Sequence, residues 1–391
     1  MKPTLMRPNP VSTGVSTPVV TPIQQSVVYA TDAPDTLDAQ YTGQEAGFTY
    51  AREGHPNAEA LAARIDALEG AEGGLITGSG MAAVMAALMG VCGAGDHIIG
   101  GDQLYGRSLR LMTQDLPRFG LECTLVDTTD VDAVVAALKP NTRMILIEVV
   151  SNPTLRIADL HGIAELCKDR GVLLVVDNTF TTPRSVKPFE SGADIVLHSV
   201  TKLLAGHADV TLGYVAARTP ELRKAMYDFA VTTGLTPSPF ECWLAERGLM
   251  TFDLRYDKAQ ATAQILAEHL AAQPDVLRAI YPSRGDHPDH LRTQSVLGGQ
   301  AGNMVSFEIK GGRAAANAFS RAAQGVAFAP TLGDVGTTLS HPASSSHRAL
   351  TPEDRAALGM SEGFFRVSVG LEDPDALMAT FDAGLAAVRA L

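Results

Sequence analysis

The sequence predicts an α/β protein, with a large domain on a mostly parallel sheet and a smaller α+β domain after it. Three observations carry this. Short apolar runs recur through the middle of the chain: HIIGG (97–101), CTLVD (123–127), MILIEVV (144–150), VLLVVD (172–177) and DIVLHS (194–199). Amphipathic stretches such as DVDAVVAALKP and DLHGIAELCKDRG lie between them, and strands apolar on both faces that alternate with helices belong to a parallel sheet covered on both sides. Past residue 245 the texture shifts to helix candidates (DKAQATAQILAEHLAAQ, RAAANAFSRAAQ, DPDALMATFDAGLAAVRAL) and two strand candidates, NMVSFEIKGG and FFRVSVGLED.

In chain order, residues 1–48 are rich in Pro, Thr, Ser and Gln with no helical period, and read as an extended arm. Val19, Val20, Ile23, Val27, Val28 and Tyr29 are apolar enough to pack, and a neighbouring subunit is the expected host. Residues 49–245 form the large domain. It opens with NAEALAARIDALEG, whose Leu61, Ile65 and Leu68 share one helix face, with Asn57 as expected cap and Gly70 as stop. GSGM (78–81) then turns a short apolar segment into an Ala/Met-rich helix. Residues 246–391 form the smaller domain, and no repeat is visible.

The bulk numbers set limits. A chain of 391 residues, 46% hydrophobic and 19% charged, can build a large core. A net charge of −12 argues against nucleic-acid binding, which needs clustered basic residues. Cys92, Cys123, Cys167 and Cys242 form no CxxC pair, so neither a zinc site nor a dithiol motif is indicated, and no metal is expected. MKPTLMRPNPVSTG lacks the apolar core of a signal peptide, and the longest apolar stretch, Met81–Cys92, is too short to span a bilayer. A cytoplasmic protein is expected, without membrane association.

Ligands of open α/β sheets sit beyond the carboxyl ends of the strands. Four features fall there. GSGM opens a helix with glycine-freed amides, suited to an anion or simply to a tight turn. It is not a hydrolase elbow, because Thr77 stands where GxSxG needs glycine. Nor is it a dinucleotide fingerprint, because GSGMAA lacks the third glycine. Asp177 ends VLLVVD, where it either caps the next turn or faces a cation. Glu148 and Asn152 lie in EVVSNP, which alone is turn chemistry. Lys202 follows HSVT, where a single lysine would ordinarily be solvated. Together these are the parts that hold pyridoxal 5′-phosphate (PLP). The lysine amine condenses with the aldehyde, and the aspartate keeps the pyridine nitrogen protonated. The hydroxyls of Ser199 and Thr201 reach phosphate oxygens.

With those residues in view, the sequence resembles the Cys/Met-metabolism PLP enzymes: the cystathionine γ-synthases and lyases, methionine γ-lyases and O-acylhomoserine sulfhydrylases. The resemblance runs from about residue 15 to the C-terminus through YAREGHPN (50–57), GSGMAA, LYG (104–106), SNP (151–153), DNTF (177–180), HSVTK (198–202), SPFECWLAERGL (238–249), LGD (332–334), HPASSSH (341–347) and FRVSVGLED. It implies the type I, aspartate-aminotransferase-like fold, as a dimer of dimers with shared active sites. It also implies roles. Lys202 is the Schiff-base lysine and proton carrier, and Asp177 pairs with the pyridine nitrogen. Tyr105 stacks on the ring and acts as acid/base, while Thr179 packs beneath it. Gly80, Met81, Ser199 and Thr201 hold the phosphate. Tyr50 and Arg52 reach the phosphate of the neighbouring subunit. Arg366, helped by Asn152, binds the substrate α-carboxylate, near Thr331.

The subfamily is read from departures. Arg110 stands where cystathionine enzymes acting at Cγ carry an arginine for the distal carboxylate, which favours a substrate with an acidic far end over the alternative of a helix-surface residue. Pro330-Thr331-Leu332-Gly333 lacks the acidic residue that would meet the distal ammonium of cystathionine. Arg107 replaces the reactive cysteine of methionine γ-lyase; His55, Asn57 and Ser345 also depart from the family pattern. The expected reaction is γ-elimination from a homoserine- or homocysteine-derived amino acid, giving 2-oxobutanoate and ammonia. The alternatives are γ-replacement, cystathionine β-elimination and a non-catalytic PLP-fold binding protein. The histidines of GDHPDH (285–290) read as a surface loop.

Overall fold

The computed structural model describes residues 14–348 and 350–391. Seven strands make the first sheet: β1 (Leu75–Thr77), β2 (His97–Gly101), β3 (Glu122–Val126), β4 (Thr142–Glu148), β5 (Leu173–Asp177), β6 (Ile195–Ser199) and β7 (Gly213–Ala217). Their order is β1-β7-β6-β5-β4-β2-β3. The run from β6 to β3 is parallel, as the doubly apolar sequences require, while β7 is antiparallel to both of its neighbours. β7 (GYVAA) escapes sequence reading because a glycine and two alanines leave it little apolar signal beyond Tyr214 and Val215.

The chain runs from β2 outward to β3, then places β4 on the other side of β2. That reversal opens a crevice at the carboxyl edge. Both faces are covered. One core gathers Ile145, Ile147, Leu174, Val176 and Val196 with helix Leu160–Arg170; the other gathers Leu146, Val175, Leu197 and Val215 with helix Gly80–Met89. The alternation along each strand assigns successive residues to opposite cores.

The second sheet has five strands: β8 (Val276–Ile280), β9 (Met304–Ile309), β10 (Ala327–Phe328), β11 (Thr338–Ser340) and β12 (Phe364–Ser368), ordered β10-β11-β12-β9-β8. All pairs are antiparallel except β10 with β11. Helices Phe252–Ala271, Gly312–Ala322 and Pro374–Arg389 contribute to its core, where Phe307, Phe319, Phe365 and Phe381 stack at centroid distances of 5.3–5.9 Å.

Three local expectations are corrected. Helix Pro56–Glu69 is capped by His55, whose Nδ1 accepts the Ala58 amide at 3.1 Å, and not by Asn57. Pro56 takes the first helical position, where a missing N–H costs nothing. Asn57 is buried and ties down the arm instead, accepting from Gln24 N and donating to Pro22 O, both at 2.9 Å. The arm is not wholly extended: Pro34–Tyr41 is a helix that buries none of its residues, so it left no apolar period to read. Residues 1–13 of the expected arm lie outside the described residues. GDHPDH is not a free surface loop, since His287 and Asp289 are buried. His287 Nε2 meets Leu155 O at 3.0 Å, and Asp289 takes Arg156 through both oxygens at 2.6 and 3.1 Å. Among the described residues no group of three or more His, Cys, Asp or Glu could hold a metal ion, and no helix is long and apolar enough to cross a membrane.

Helix Pro374–Arg389 supplies a stability test. A Cβ on Gly384 would lie 2.6 Å from Phe319 Cε2, and Phe319 is fully buried. Alanine for glycine inside a helix ordinarily gains about 1 kcal/mol. Here overpacking, at about 1–3 kcal/mol, reverses the sign. Gly384→Ala is expected to lower the thermal midpoint; an unchanged or raised midpoint would show that Phe319 yields freely.

Candidate active site

The site forms where β4, β5 and β6 end. Their register places Glu148 beside Asp177 and Asp177 beside Leu197, so β4 and β5 end on one line and β6 runs two residues past it, to Ser199, at the same edge. Each turn beyond that line delivers a polar group. From β5, Thr179 folds back on Asp177: its amide and hydroxyl donate to Oδ1 at 3.0 and 2.6 Å. The same hydroxyl accepts the Ser199 amide at 2.8 Å, which clips β5 to β6. Burial raises the Asp177 pKa, and the two Thr179 bonds oppose it. Its carboxylate is therefore a half-compensated anion, suited to a cation seated against it.

Lys202 follows from β6. Its amide bonds Ser199 O at 3.1 Å, and Gly206 N bonds its carbonyl at 2.8 Å. Its Nζ donates to Thr331 Oγ1 at 3.4 Å. Burial lowers its pKa, and the Arg366 cation lowers it further. Two backbone devices hold this turn. Gly333 has φ of +81°, and a Cβ there would meet Leu203 N at 2.5 Å, so only glycine lets the LGD loop lie on the peptide after Lys202. Arg255, 7% exposed, donates to Leu203 O at 2.8 Å and to Leu204 O and Gly248 O at 2.9 Å.

Arg366 comes from β12 of the second sheet. It is 5% exposed, donating through Nη1 to Asn152 Oδ1 at 2.7 Å and through Nη2 to Thr331 O at 2.8 Å. Its buried Nε has no partner. Burial depresses its pKa to about 10, and the Tyr105 hydroxyl acts in the opposite sense. At neutral pH it remains a cation with spare donors, suited to a carboxylate. Tyr105, 43% exposed, lies beyond β2, and its amide donates to Glu148 Oε1 at 2.6 Å across the crevice between β2 and β4. Burial and neighbouring Asp177 raise the Glu148 pKa well above the carboxylate range.

The first turn of helix Gly80–Met89 closes the other side. Ser79 Oγ accepts the Ala82 amide at 3.1 Å, leaving the amides of Gly80 and Met81 without recorded partners. A Cβ on Gly80 would sit 2.7 Å from the Ser199 Cβ, so this turn is pressed against the end of β6. Among the described residues the Ser199 hydroxyl makes no hydrogen bond, while its amide is held by Thr179. Thr201 differs: its hydroxyl donates to Leu212 O at 3.2 Å and accepts Leu212 N at 3.0 Å. Its single proton is committed, so donation to a phosphate would break that bond.

The structure thus brings together Lys202, Asp177, Thr179, Ser199, Gly80, Asn152, Thr331, Arg366 and Tyr105. It leaves three others apart. Arg52 donates to Val231 O at 2.9 Å and lies 5.5 Å over the Tyr50 ring; neither residue bonds Lys202, Asp177 or Ser199 of its own chain. Arg52 lines a cavity of about 330 Å³ together with Tyr227 and Pro237. Arg110 is exposed and pairs with Asp115 at 3.4 Å. Sequence reasoning missed Glu69, His198 and Arg255. Arg255 left one signal: it shares the helix face of Phe252, Tyr256 and Ala259, where a charge is out of place.

A free amine beside a cation, an anion at the same edge, and unpartnered amides at a helix start are the donor set for PLP. A family model described as Cys/Met metabolism PLP-dependent enzyme matches residues 6–386. The chain belongs to that family. It is 38% identical over 370 residues to the L-methionine γ-lyase of Pseudomonas putida, covering 94% of this chain and 93% of that one. It is 40% identical over 350 residues to the O-succinylhomoserine sulfhydrylase of Pseudomonas aeruginosa, covering 90% and 86%. Among solved structures it matches cystathionine γ-synthase from Xanthomonas oryzae pv. oryzae with a TM-score of 0.88 at 37% identity, covering 95% and 94%. The family membership makes the chain a PLP-dependent enzyme of the type I α/β fold expected from the sequence.

The lysine environment gives a pH test on cofactor-free protein. Because the folded pKa of Lys202 lies below the unfolded value, the unfolded chain holds the extra proton between the two, and stability rises with pH across that window. Lys202→Met removes the buried amine. It is expected to raise the apo thermal midpoint at neutral pH, with the gain shrinking as pH climbs toward 10.5. A pH-independent difference would contradict the buried-amine account.

Proposed function

We propose that this enzyme catalyses γ-elimination from a γ-substituted α-amino acid, releasing 2-oxobutanoate, ammonia and the γ-substituent. The carrying observation is that Lys202 and Arg366 converge on Thr331, Lys202 Nζ donating to its hydroxyl at 3.4 Å and Arg366 Nη2 to its carbonyl at 2.8 Å, while Asn152 Oδ1 accepts from the same guanidinium. When bound, PLP supplies an electron-withdrawing ring that stabilises negative charge at Cα. Arg366 Nε and its two bonded nitrogens orient the substrate carboxylate, with Asn152 fixing the fork. Lys202 Nζ, whose pKa burial lowers, takes the Cα proton, hands it on to the cofactor, and as a free amine again takes a Cβ proton. Tyr105 gives a proton to the leaving γ-sulfur or γ-oxygen. Its backbone is fixed through Glu148, so its ring is presented at a constant height. Asp177, oriented by Thr179, would meet the ring nitrogen; Gly80, Met81 and Ser199 would receive the phosphate, and Thr201 would do so by leaving Leu212 O.

Elimination is favoured because Pro330 and Thr331 put no carboxylate beside Lys202 to engage a distal ammonium, and because the matched relatives include an L-methionine γ-lyase. Replacement by a thiol is the second reading, favoured by likeness to a cystathionine γ-synthase and a sulfhydrylase. The chain is organised as an arm (1–48), a PLP-binding domain (49–245) and a C-terminal domain (246–391). Two pairs of chains share sites, with Tyr50 and Arg52 serving a neighbour's phosphate. The absence of own-chain bonds from those two residues to the pocket supports this sharing. A cytoplasmic location accords with four free cysteines and no disulfide.

The decisive assay supplies L-methionine, L-cystathionine, or O-acylhomoserine with a thiol, and identifies the products. 2-Oxobutanoate is expected; pyruvate would mean β-elimination, and a thioether without keto acid would mean replacement. Lys202→Ala is expected to abolish turnover, and full activity in that variant would overturn the proposal. Arg110→Ala tests the distal end of the substrate. KM should rise about tenfold for O-succinylhomoserine and stay unchanged for methionine, consistent with loss of one charge-assisted contact. Equal KM values would leave Arg110 with no role beyond its pair with Asp115.

A further inference from the structure

Three side chains closed off from solvent meet at the ends of β5 and β6. Glu69, His198 and Asn178 are each 0% exposed. Glu69 ends helix Pro56–Glu69, Asn178 follows Asp177, and His198 precedes Ser199. Glu69 Oε1 accepts from Asn178 Nδ2 at 2.8 Å and also from His198 Nε2. Asn178 is otherwise satisfied, donating to Val186 O at 2.9 Å and accepting the Thr181 hydroxyl. Alternation along β6 puts the His198 and Ser199 side chains on opposite faces. One carboxylate oxygen therefore tethers both strand ends, while Thr179 clips the same two ends at the pocket through Asp177 and Ser199.

Fold stability alone gives no reason for this network. Glu69 Oε2 and His198 Nδ1 are buried without partners, and apolar side chains would fill such a place at less cost. What the network does secure is the spacing of the two segments that carry Asp177 and Lys202. We propose that Glu69 is a positioning residue, tethering His198 and Asn178 so that the Asp177 carboxylate and the Lys202 amine stand ready for the cofactor. The inference rests on the reading that those two residues hold PLP.

The test is titration of apo-protein with PLP, following the visible absorbance of the lysine-bound cofactor, with thermal midpoints in parallel. Glu69→Asp keeps the charge but withdraws it by about 1.5 Å, one C–C bond, beyond reach of both donors. It is expected to raise the PLP Kd at least about tenfold, the scale on which supporting partners act. Glu69→Gln keeps the reach and an acceptor, and should stay within about threefold of wild type. Phe381→Leu, in the second sheet's core, calibrates general destabilisation: a lower midpoint with an unchanged Kd. A Glu69→Asp Kd within twofold of wild type would overturn the proposal. So would Glu69→Gln as impaired as Glu69→Asp, because an acceptor at the right reach would then not be enough to set the site. Lys202→Ala reports separately on the underlying reading: persistence of the absorbance there would break the pocket assignment itself, whatever Glu69 does.

Discussion

The site depends on one constraint: β4, β5 and β6 are parallel, adjacent and in register. Parallel pairing sends all three carboxyl ends to the same edge, and register then decides which residues face one another there. Glu148 stands beside Asp177, and Asp177 beside Leu197, two residues before Ser199. A slip of one residue would turn Asp177 to the opposite face. The apolar alternation into two separate cores is what forbids that slip, since it would bury Asp177's neighbours on the wrong side. The site's geometry is thus held by packing far from any reacting atom.

The second consequence is electrostatic. This edge gathers charges that a folded chain ordinarily avoids burying. Glu148 and Asp177 are shifted upward by burial, while Lys202 and Arg366 are shifted downward. Each shift records solvation that has been lost and only partly replaced. Arg366 lacks a partner for Nε, and Glu148 lacks one for Oε2. A group bearing an anionic tail and a protonated ring, together with a substrate carboxylate, would complete several of these half-made pairings at once. Binding free energy then comes from charges already oriented, the least costly form of electrostatic recognition. The helix start at Gly80 works in the same way, because its amides point outward before any phosphate arrives.

Much of this was legible in the sequence. The five parallel strands announced themselves as apolar runs, and Asp177, Lys202 and the GSGM turn fall at the ends where a parallel sheet must place its ligand. What sequence reasoning missed has common physical causes. β7 is built of small residues, and helix Pro34–Tyr41 buries nothing, so neither left a period. Asn57 has the chemistry of a cap, but proline in the next turn's first place moved the cap to His55 and freed Asn57 to hold the arm. Thr201 lies in the lysine motif, yet its hydroxyl is committed to Leu212, a partner eleven residues away whose proximity only the β6–β7 turn creates. Glu69 and His198 are polar residues in ordinary-looking positions. Their meaning comes from a contact spanning 129 residues, which no local pattern records.

The clamp made by GDHPDH shows how the second sheet takes part. Arg366 needs Asn152, and Asn152 lies on the segment after β4 that Asp289 and His287 grip at Ile157, Arg156 and Leu155. Burial keeps His287 below its usual pKa, so at neutral pH it acts as a neutral partner for the Leu155 carbonyl. Ser306 of β9 adds a bond to Pro153 O at 2.6 Å. Arg366 and Asn152 therefore come from different sheets, yet both are fixed to the same structural unit. Thr331 meets both Lys202 Nζ and Arg366, at 3.4 and 2.8 Å, so the amine and the guanidinium are held to one loop, and Gly333 presses that loop onto the peptide after Lys202.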